Sequence, residues 1–413
     1  MKRLATSERK LFGFNRNVTV AGFVSFFMDL SSEMIYPLVP LFLANTLGVS
    51  KSMIGLIEGI AESTASILKL FSGWLSDRLG NRKWLMAIGY GISTLSRPLV
   101  ALATGWRLVL GSRFVDRFGK GVRTAPRDAI IAESTDCASL GKAFGFHRAM
   151  DTMGAVAGPA LAFFLLRVLA NDYRKIFWLS MIPGIIAVLL IIFFIKERAN
   201  AGSGSASRPK LTFAHFDWRF KFFVLIATVF AVGNSSDVFL ILRAQQTGVA
   251  AVTIPLVYML FNLVYSLSSV PAGMAADRFG RKRVILLGFV LFAILYYGFA
   301  VVGTPATIWV LFAFYGLFMG LTEGIQKAYL ATIIPADFKA TAFGVYTTAV
   351  GLATLPASLI GGWLWDHVSP AATFYFGAAT AGVSAVLFIV FILVIRNGSL
   401  GAGNLRTPPL SGE

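Results

Sequence analysis

From residue 18 to residue 395 the chain alternates long apolar stretches with short breaks that carry charge, Gly or Pro. A helix needs about 20 predominantly apolar residues to cross the hydrocarbon core of a bilayer. Twelve stretches qualify, beginning near Val18, Ser52, Trp84, Arg107, His147, Arg174, Lys221, Val252, Val284, Thr307, Thr341 and Ala371. The pattern predicts an all-α, polytopic membrane protein. Gly and Pro fall inside the spans, where neighbouring helices can satisfy the freed backbone groups. Residues 1–17 are basic and polar, and the apolar stretch after them is too long for a signal h-region, so no cleavable signal peptide is expected.

The two halves repeat. Gly73-Trp-Leu-Ser-Asp77-Arg78-Leu-Gly80-Asn-Arg-Lys83 aligns with Gly273-Met-Ala-Ala-Asp277-Arg278-Phe-Gly280-Arg-Lys-Arg283 at an offset of 200. Ala143-Phe-Gly145 aligns with Ala342-Phe-Gly344 at 199, and Ser31-Ser-Glu33 with Ser235-Ser-Asp237 at 204. Near-constant offsets over distant segments indicate duplication of a six-helix unit. The expected division is a tail (1–17), a first bundle (18–195), a linker (196–220), a second bundle (221–395) and a tail (396–413). The linker's Gly/Ser-rich stretch at 199–208 reads as flexible. Two like bundles flanking a shared site suit rocking-type alternating access.

Composition sharpens the class. Of 413 residues 56% are hydrophobic and 14% charged, and the mean hydropathy is +0.72. A soluble domain is about 45–50% apolar and about 25% charged, so an ordinary cytosolic enzyme, a disordered chain and a disulfide scaffold are excluded. The 37 Lys and Arg against 20 Asp and Glu give +17, which on a soluble protein would suggest nucleic acid. Here the basic residues sit before the first span, after the second and eighth, and in the middle linker. That is the bias of cytoplasmic loops, so no nucleic-acid partner is expected. Both termini and the linker should be cytoplasmic, in a bacterial-type inner membrane.

One cysteine, Cys137, allows no internal disulfide or thiolate cluster, and His147, His215 and His367 form no HExxH site. No P-loop, dinucleotide fingerprint or G-x-S-x-G elbow occurs. The chain therefore does not read as an enzyme or an ATP-driven pump, and no cofactor or resident metal is expected. A non-transporting membrane sensor would need a folded soluble appendage, for which the linker and tails leave little room.

The loop motif resembles the G-x-L-x-D-R-x-G-R-R signature of the major facilitator superfamily of secondary transporters. It occurs twice at the expected places, with Asn81 replacing one basic residue and Ala275 replacing Leu. In the fifth span Gly145, Gly154 and Gly158-Pro159 match the family's antiporter motif g-x8-G-x3-G-P-x2-G-G, although Ala162 and Phe163 replace its last glycines. The resemblance covers nearly the whole chain. It implies a twelve-helix fold of two pseudo-symmetric bundles, transport of a small-molecule solute by a monomer, and, from the antiporter motif, proton-coupled export. It implies gating roles for Gly73, Asp77, Arg78 and Gly80, for Asp277 and Arg278, and for Gly154, Gly158 and Pro159. The family often buries an Arg in the fourth span, for which Arg113 is the best match.

Ionisable groups inside a membrane cost about 2.5–3.5 kcal/mol each at a helix centre on insertion scales and normally face the interior. Asp29 and Glu33 lie four apart on one face of the first span, and Asn234, Ser235 and Asp237 occupy the matching stretch of the seventh. Clustered, buried carboxyls are usable proton carriers. Asp29, Glu33 and Asp237, with Arg113 to hold a carboxylate until protonation releases it, are the coupling candidates. The fourth span carries Arg113, Asp116, Arg117, Lys120, Arg123, Arg127 and Asp128 at three- and four-residue steps, one polar stripe down a helix. Arg127 and Asp128 read as gating or structural and could partner Asp77. Glu58 and Glu62 share a face that could be wet.

Arg117, Asn234, Tyr36 and, in the tenth span, Glu323, Gln326 and Lys327 are the solute-binding candidates. Such a mixed-charge cavity suits a zwitterionic or anionic metabolite, a polar drug or a chelate better than a lipophilic cation. A competing reading takes Asp29, Glu33, Asn234 and Asp237 as hard oxygen ligands for transport of a divalent metal or metal chelate.

Overall fold

The computed structural model describes residues 14–79, 81–136, 139–196, 216–334 and 339–403, and of residues 69–79, 141, 339–341 and 396–403 the backbone alone. In chain order the helices are α1 (Arg16–Ile35), α2 (Val39–Leu41), a π-helical turn (Phe42–Thr46), α3 (Lys51–Leu79), α4 (Arg82–Ala101), α5 (Trp106–Glu133), α6 (Leu140–Val168) and α7 (Tyr173–Phe194). The second half holds α8 (Trp218–Gly233), α9 (Val238–Gln246), α10 (Ile254–Phe279), α11 (Arg281–Val301), α12 (Pro305–Leu330), α13 (Lys339–His367) and α14 (Pro370–Gly403). Counting α1–α2 with its π turn and α8–α9 as one span each, these are the twelve expected spans. Most of the linker and both tails lie outside the described residues.

The fifth span starts at Leu140, earlier than the expected His147. Its first turns pack on the start of α1, where Phe146 stacks on Phe14 at 4.7 Å. Two spans expected to be continuous are broken. The first yields at Tyr36-Pro37-Leu38, where Pro37 has no N–H to continue the ladder and Pro40 starts the next turn. The seventh breaks at Asn234-Ser235-Ser236, short polar side chains that compete for backbone groups.

Helix pairing in the second half reproduces that in the first. Contacts α3–α5, α4–α5, α4–α7, α1–α7 and α1–α6 are matched by α10–α12, α11–α12, α11–α14, α8–α14 and α8–α13. The pairs α3–α13 and α6–α10 join the bundles along their length, and α2 touches α9 at one end. The end of the third span is capped by an arginine in each half, from non-equivalent places. Arg174 donates to the carbonyls of Ala101 (2.6 Å) and Ala103 (2.7 Å), and Arg243 to those of Phe299 (2.9 Å) and Ala300 (2.8 Å). Gly280 turns α10 into α11 at φ +96°, a conformation that explains the motif glycine there.

The bundle interiors differ. That of the second half is aromatic: Phe230, Phe289, Phe292, Tyr296, Tyr315 and Phe318 contact one another ring to ring. That of the first is polar, because α5 brings nine charged residues across the bilayer in 28. Among the described residues nine spans are long and apolar enough to cross a membrane unaided, and α3, α4 and α5 are not among them. A helix that polar is stable at membrane depth only where other helices cover it, and α3 and α4 cover α5.

Candidate functional site

The stripe on α5 turns its arginines inward, and Arg113, Arg117 and Arg127 each meet an acid. Arg113 grips Glu58 of α3 with two hydrogen bonds of 2.8 and 2.5 Å, and both side chains are buried. The Arg113 pairing expected with Asp29 or Glu33 is thus replaced by one with Glu58. Glu58 faces the bundle interior, not a wet surface, because a bidentate fork compensates its desolvation. Arg117 pairs with Glu62 at 2.7 Å and stands 3.8 Å from Asp116. Arg97 of α4 reaches Asp116 at 3.3 Å and donates to Ser32 at 2.8 Å and Ser31 at 3.3 Å on α1. Arg123 lies over the Tyr90 ring at 4.4 Å.

These groups enclose a chamber of about 20 Å³ lined by Asp29, Ser32, Glu33, Tyr36, Arg97, Arg113, Asp116, Arg117, Lys120 and Arg123. That volume admits one water. Three buried polar atoms on its walls lack a protein partner, Glu33 Oε2, Arg117 Nε and Arg123 Nη1. The chamber gathers five of the expected site residues: Asp29, Glu33, Tyr36, Arg113 and Arg117.

The glycines of the fifth span explain why Asp29 and Glu33 sit where they do. A Cβ at Gly154 would meet the Phe26 carbonyl oxygen at 2.5 Å and Asp29 Cβ at 3.0 Å. One at Gly158 would meet the Met34 nitrogen at 2.8 Å and Glu33 Cβ at 2.9 Å. The small face of α6 therefore seats α1 at its two carboxylates. One turn before Gly154, Asp151 comes within hydrogen-bonding reach of Asp29. Sequence reasoning treated Asp151 only as the internal partner of Arg148, which it also is at 3.2 Å. Its three-residue spacing from Gly154 on the α1-facing side was the available signal.

The remaining candidates line a second space. Adjoining cavities of about 420 and 250 Å³ share Met319, Glu323 and Lys327 and lie between the bundles. Asn234, Gln326, Glu62 and Tyr346 border the smaller, and Arg148, Tyr265, Asp277 and Arg281 the larger. Glu323 is held by the Tyr265 hydroxyl and by Lys327 at 3.4 Å, and Gln326 accepts from Tyr346 at 2.6 Å. Asp237 stands apart, accepting from Tyr315 at 2.7 Å. Among the described residues no three His, Cys, Asp or Glu converge as metal ligands, and of the expected quartet Asp237 meets Tyr315 of α12 and Asn234 Tyr296 of α11, while Asp29 and Glu33 lie against α6.

The cavities open toward the ends of α10 and α12, and the opposite face is shut. There the Asp366 carboxylate of α13 accepts the Lys51 amide (3.1 Å), the Ser52 amide (2.7 Å) and the Ser52 hydroxyl (2.7 Å) at the start of α3. Below it, Gly362, Gly55, Gly59 and Gly351 bring α3 and α13 into backbone or Cβ contact.

The expected gates are mixed. Asp277 pairs with Arg281 at 3.1 Å, Arg281 also donates to the Ala328 carbonyl at 3.2 Å, and Arg278 lies over Phe279. A Cβ at Gly273 would meet nothing within 4 Å, so this second motif glycine does not serve close packing here. Arg127 pairs with its neighbour Asp128 at 2.9 Å. Gly80 lies outside the described residues, and of Gly73, Asp77 and Arg78 the backbone alone is described.

Comparison with known proteins agrees with the architecture. The model of the Major Facilitator Superfamily matches residues 21–242 and 222–410. An uncharacterized MFS-type transporter of Methanocaldococcus jannaschii is 38% identical over 385 residues, 91% of this chain and 94% of the relative. A multi-drug resistance efflux pump PmrA homolog of Lactococcus lactis is 25% identical over 402 residues, 94% and 96% of the two chains. Among solved structures, a POT family transporter in complex with 5-aminolevulinic acid superposes with a TM-score of 0.79 at 12% identity, over 93% of this chain and 97% of that one.

Proposed function

The chain belongs to the major facilitator superfamily, and on that premise we propose that it is a proton-coupled exporter of a small polar or zwitterionic solute. It is a membrane transporter and not an enzyme, as its relatives are. The observation that carries the coupling is the meeting of Asp29 and Asp151 between α1 and α6. Two carboxylates brought together in a buried site repel each other, which favours a proton on one of them, so in this reading the site stores a proton within the first bundle. Glu33, one turn away with an unpartnered Oε2, adjoins the same store.

The solute reading rests on the mixed lining of the open cavities, where Glu323 and Asp277 face Arg148, Lys327 and Arg281. The 420 Å³ cavity falls within the range of small-molecule sites, and the adjoining 250 Å³ enlarges it. Likeness to an efflux pump supports the export reading. In the cytoplasmic-termini orientation the cavities open inward, ready to load. The chain works as a monomer, with the pathway enclosed by its own two bundles. A divalent metal is the poorer cargo, since Asp29 lies against α6 and Asp237 accepts from Tyr315 of α12 instead of converging on one point.

Reconstituted in proteoliposomes, the protein should accumulate a zwitterionic or quinolone solute against an imposed pH gradient. One proton per solute at the equivalent of 100 mV supports a gradient of up to about 50-fold. Asp29→Asn and Glu33→Gln should abolish the dependence on the pH gradient while solute exchange without a gradient persists. Uptake indifferent to the gradient in the wild type would rule the proton coupling out.

A further inference from the structure

The proton store and the solute cavity belong to different bundles, and one chain of polar contacts joins them. Asp151 holds Arg148 at 3.2 Å on α6. Arg148 crosses to the second bundle and donates to the Tyr265 hydroxyl on α10 at 2.9 Å. That hydroxyl donates onward to Glu323 on α12, whose other oxygen takes Lys327 at 3.4 Å. We propose that Arg148, Tyr265 and Glu323 form the coupling bridge through which protonation of the Asp29–Asp151 pair is felt in the solute cavity and between the bundles. The inference rests on the proton-coupled reading above.

The mechanism is an exchange of partners. With one proton shared, the pair carries a single negative charge, which Arg148 balances. A second proton, taken up on an Asp151 carboxylate oxygen, neutralises the pair and leaves Arg148 without its counter-ion. The guanidinium keeps its charge and shifts its weight to Glu323, the next acid within its fork. Tyr265 keeps its proton and serves as the hinge of the contact. Lys327 is then displaced from Glu323 toward the cavity, where a solute acid can meet it. Loss of the proton reverses each move. Protonation thus changes both the polarity of the cavity and the grip between α6 and α10.

Other charges bear on the pair and set its balance. Glu33 of α1 and Lys120 of α5 face Asp29, and Arg127 of α5 and His147 of α6 face Asp151. Among the described residues none of them forms a hydrogen bond or ion pair with the second bundle, although Glu33 faces Tyr258 of α10. Across the α6–α10 seam the other polar contact is Asn262 Nδ2 to the Ala155 carbonyl at 3.2 Å, which bears no titratable group. Arg148 is therefore the ionic link across this seam among the described residues.

The test needs no solute, since the proton is the probe. The full chain, with Cys137→Ser and single spin labels at exposed Phe144 and Met274 on the facing ends of α6 and α10, is placed in nanodiscs and its inter-label distance is followed against pH. The wild type should show a distance change with one titration midpoint, and Asp29→Asn should remove it. Tyr265→Phe keeps the ring, which stacks on Phe261, and removes only the hydroxyl. It should cut the amplitude of the pH response about fivefold or more without lowering the melting temperature. Arg148→Lys, which keeps the charge and loses the fork, should do the same. An unchanged amplitude and midpoint in both variants would overturn the bridge while leaving proton coupling standing. A wild type with no pH response would overturn the proton store itself, and the bridge with it.

Discussion

Single residues in the first bundle are held by charge in a low-dielectric interior, and this sets their mutational signature. The Arg113–Glu58 fork is buried on both sides, so removing one partner strands a charge. Arg113→Met should cost about 3–5 kcal/mol in thermal unfolding of the purified protein, whereas Arg113→Met with Glu58→Met should recover most of that loss. A double variant no more stable than the single would mean that the fork contributes through shape instead of charge. The sequence showed that the arginines of α5 are costly and inward-facing. It did not show which acid each one meets, since the partners of Arg113 and Arg117 come from α3 and depend on how that helix crosses α5. The reading of Asp151 as the internal i,i+3 partner of Arg148 had the same origin: an i,i+3 Arg is visible in one dimension, and a carboxylate from α1 is not.

At the scale of elements, small residues decide where helices touch. Gly158→Ala would push its new carbon into the backbone of Met34, and the overpacking should cost about 1–3 kcal/mol and loosen Asp29 from Asp151. Gly145→Ala, on the same helix with nothing within 4 Å, should be neutral or stabilise by up to about 1 kcal/mol. Melting temperatures of the two variants against wild type check the contrast, and equal effects would deny that the motif face is a contact surface. The twelve spans were legible because hydropathy reports burial in lipid, and the internal repeat gave the pairing by symmetry. The breaks at Tyr36-Pro37-Leu38 and Asn234-Ser235-Ser236 were less so, because apolar flanks hide them. A further repeat escaped notice as well: Gly48-Val49 and Gly248-Val249, both glycines at positive φ, turn the first span of each half.

The whole molecule is caught with one face shut and the other open, and Asp366 is the clasp of the shut face. Its carboxylate ends the exposed N–H groups of α3. Asp366→Ala should weaken that closure by about 1.5–3 kcal/mol, a shift of roughly tenfold or more in the population open on that side. Spin labels at exposed Asn45 and Gln246 should then report a longer distance, and an unchanged distance would assign the closure to the glycine seam of α3 and α13. The polar α5 also has a consequence for how the chain is made. A segment with nine charges in 28 residues is not one that a translocation channel releases into lipid alone. The second and third spans must wait at the channel's exit until the fourth emerges, so that the three leave together with their opposite charges already matched. Biogenesis of this transporter is accordingly cooperative over roughly the first third of its length, and a nascent chain halted before Arg113 emerges leaves Glu58 without its counter-ion and has no stable resting place in the bilayer.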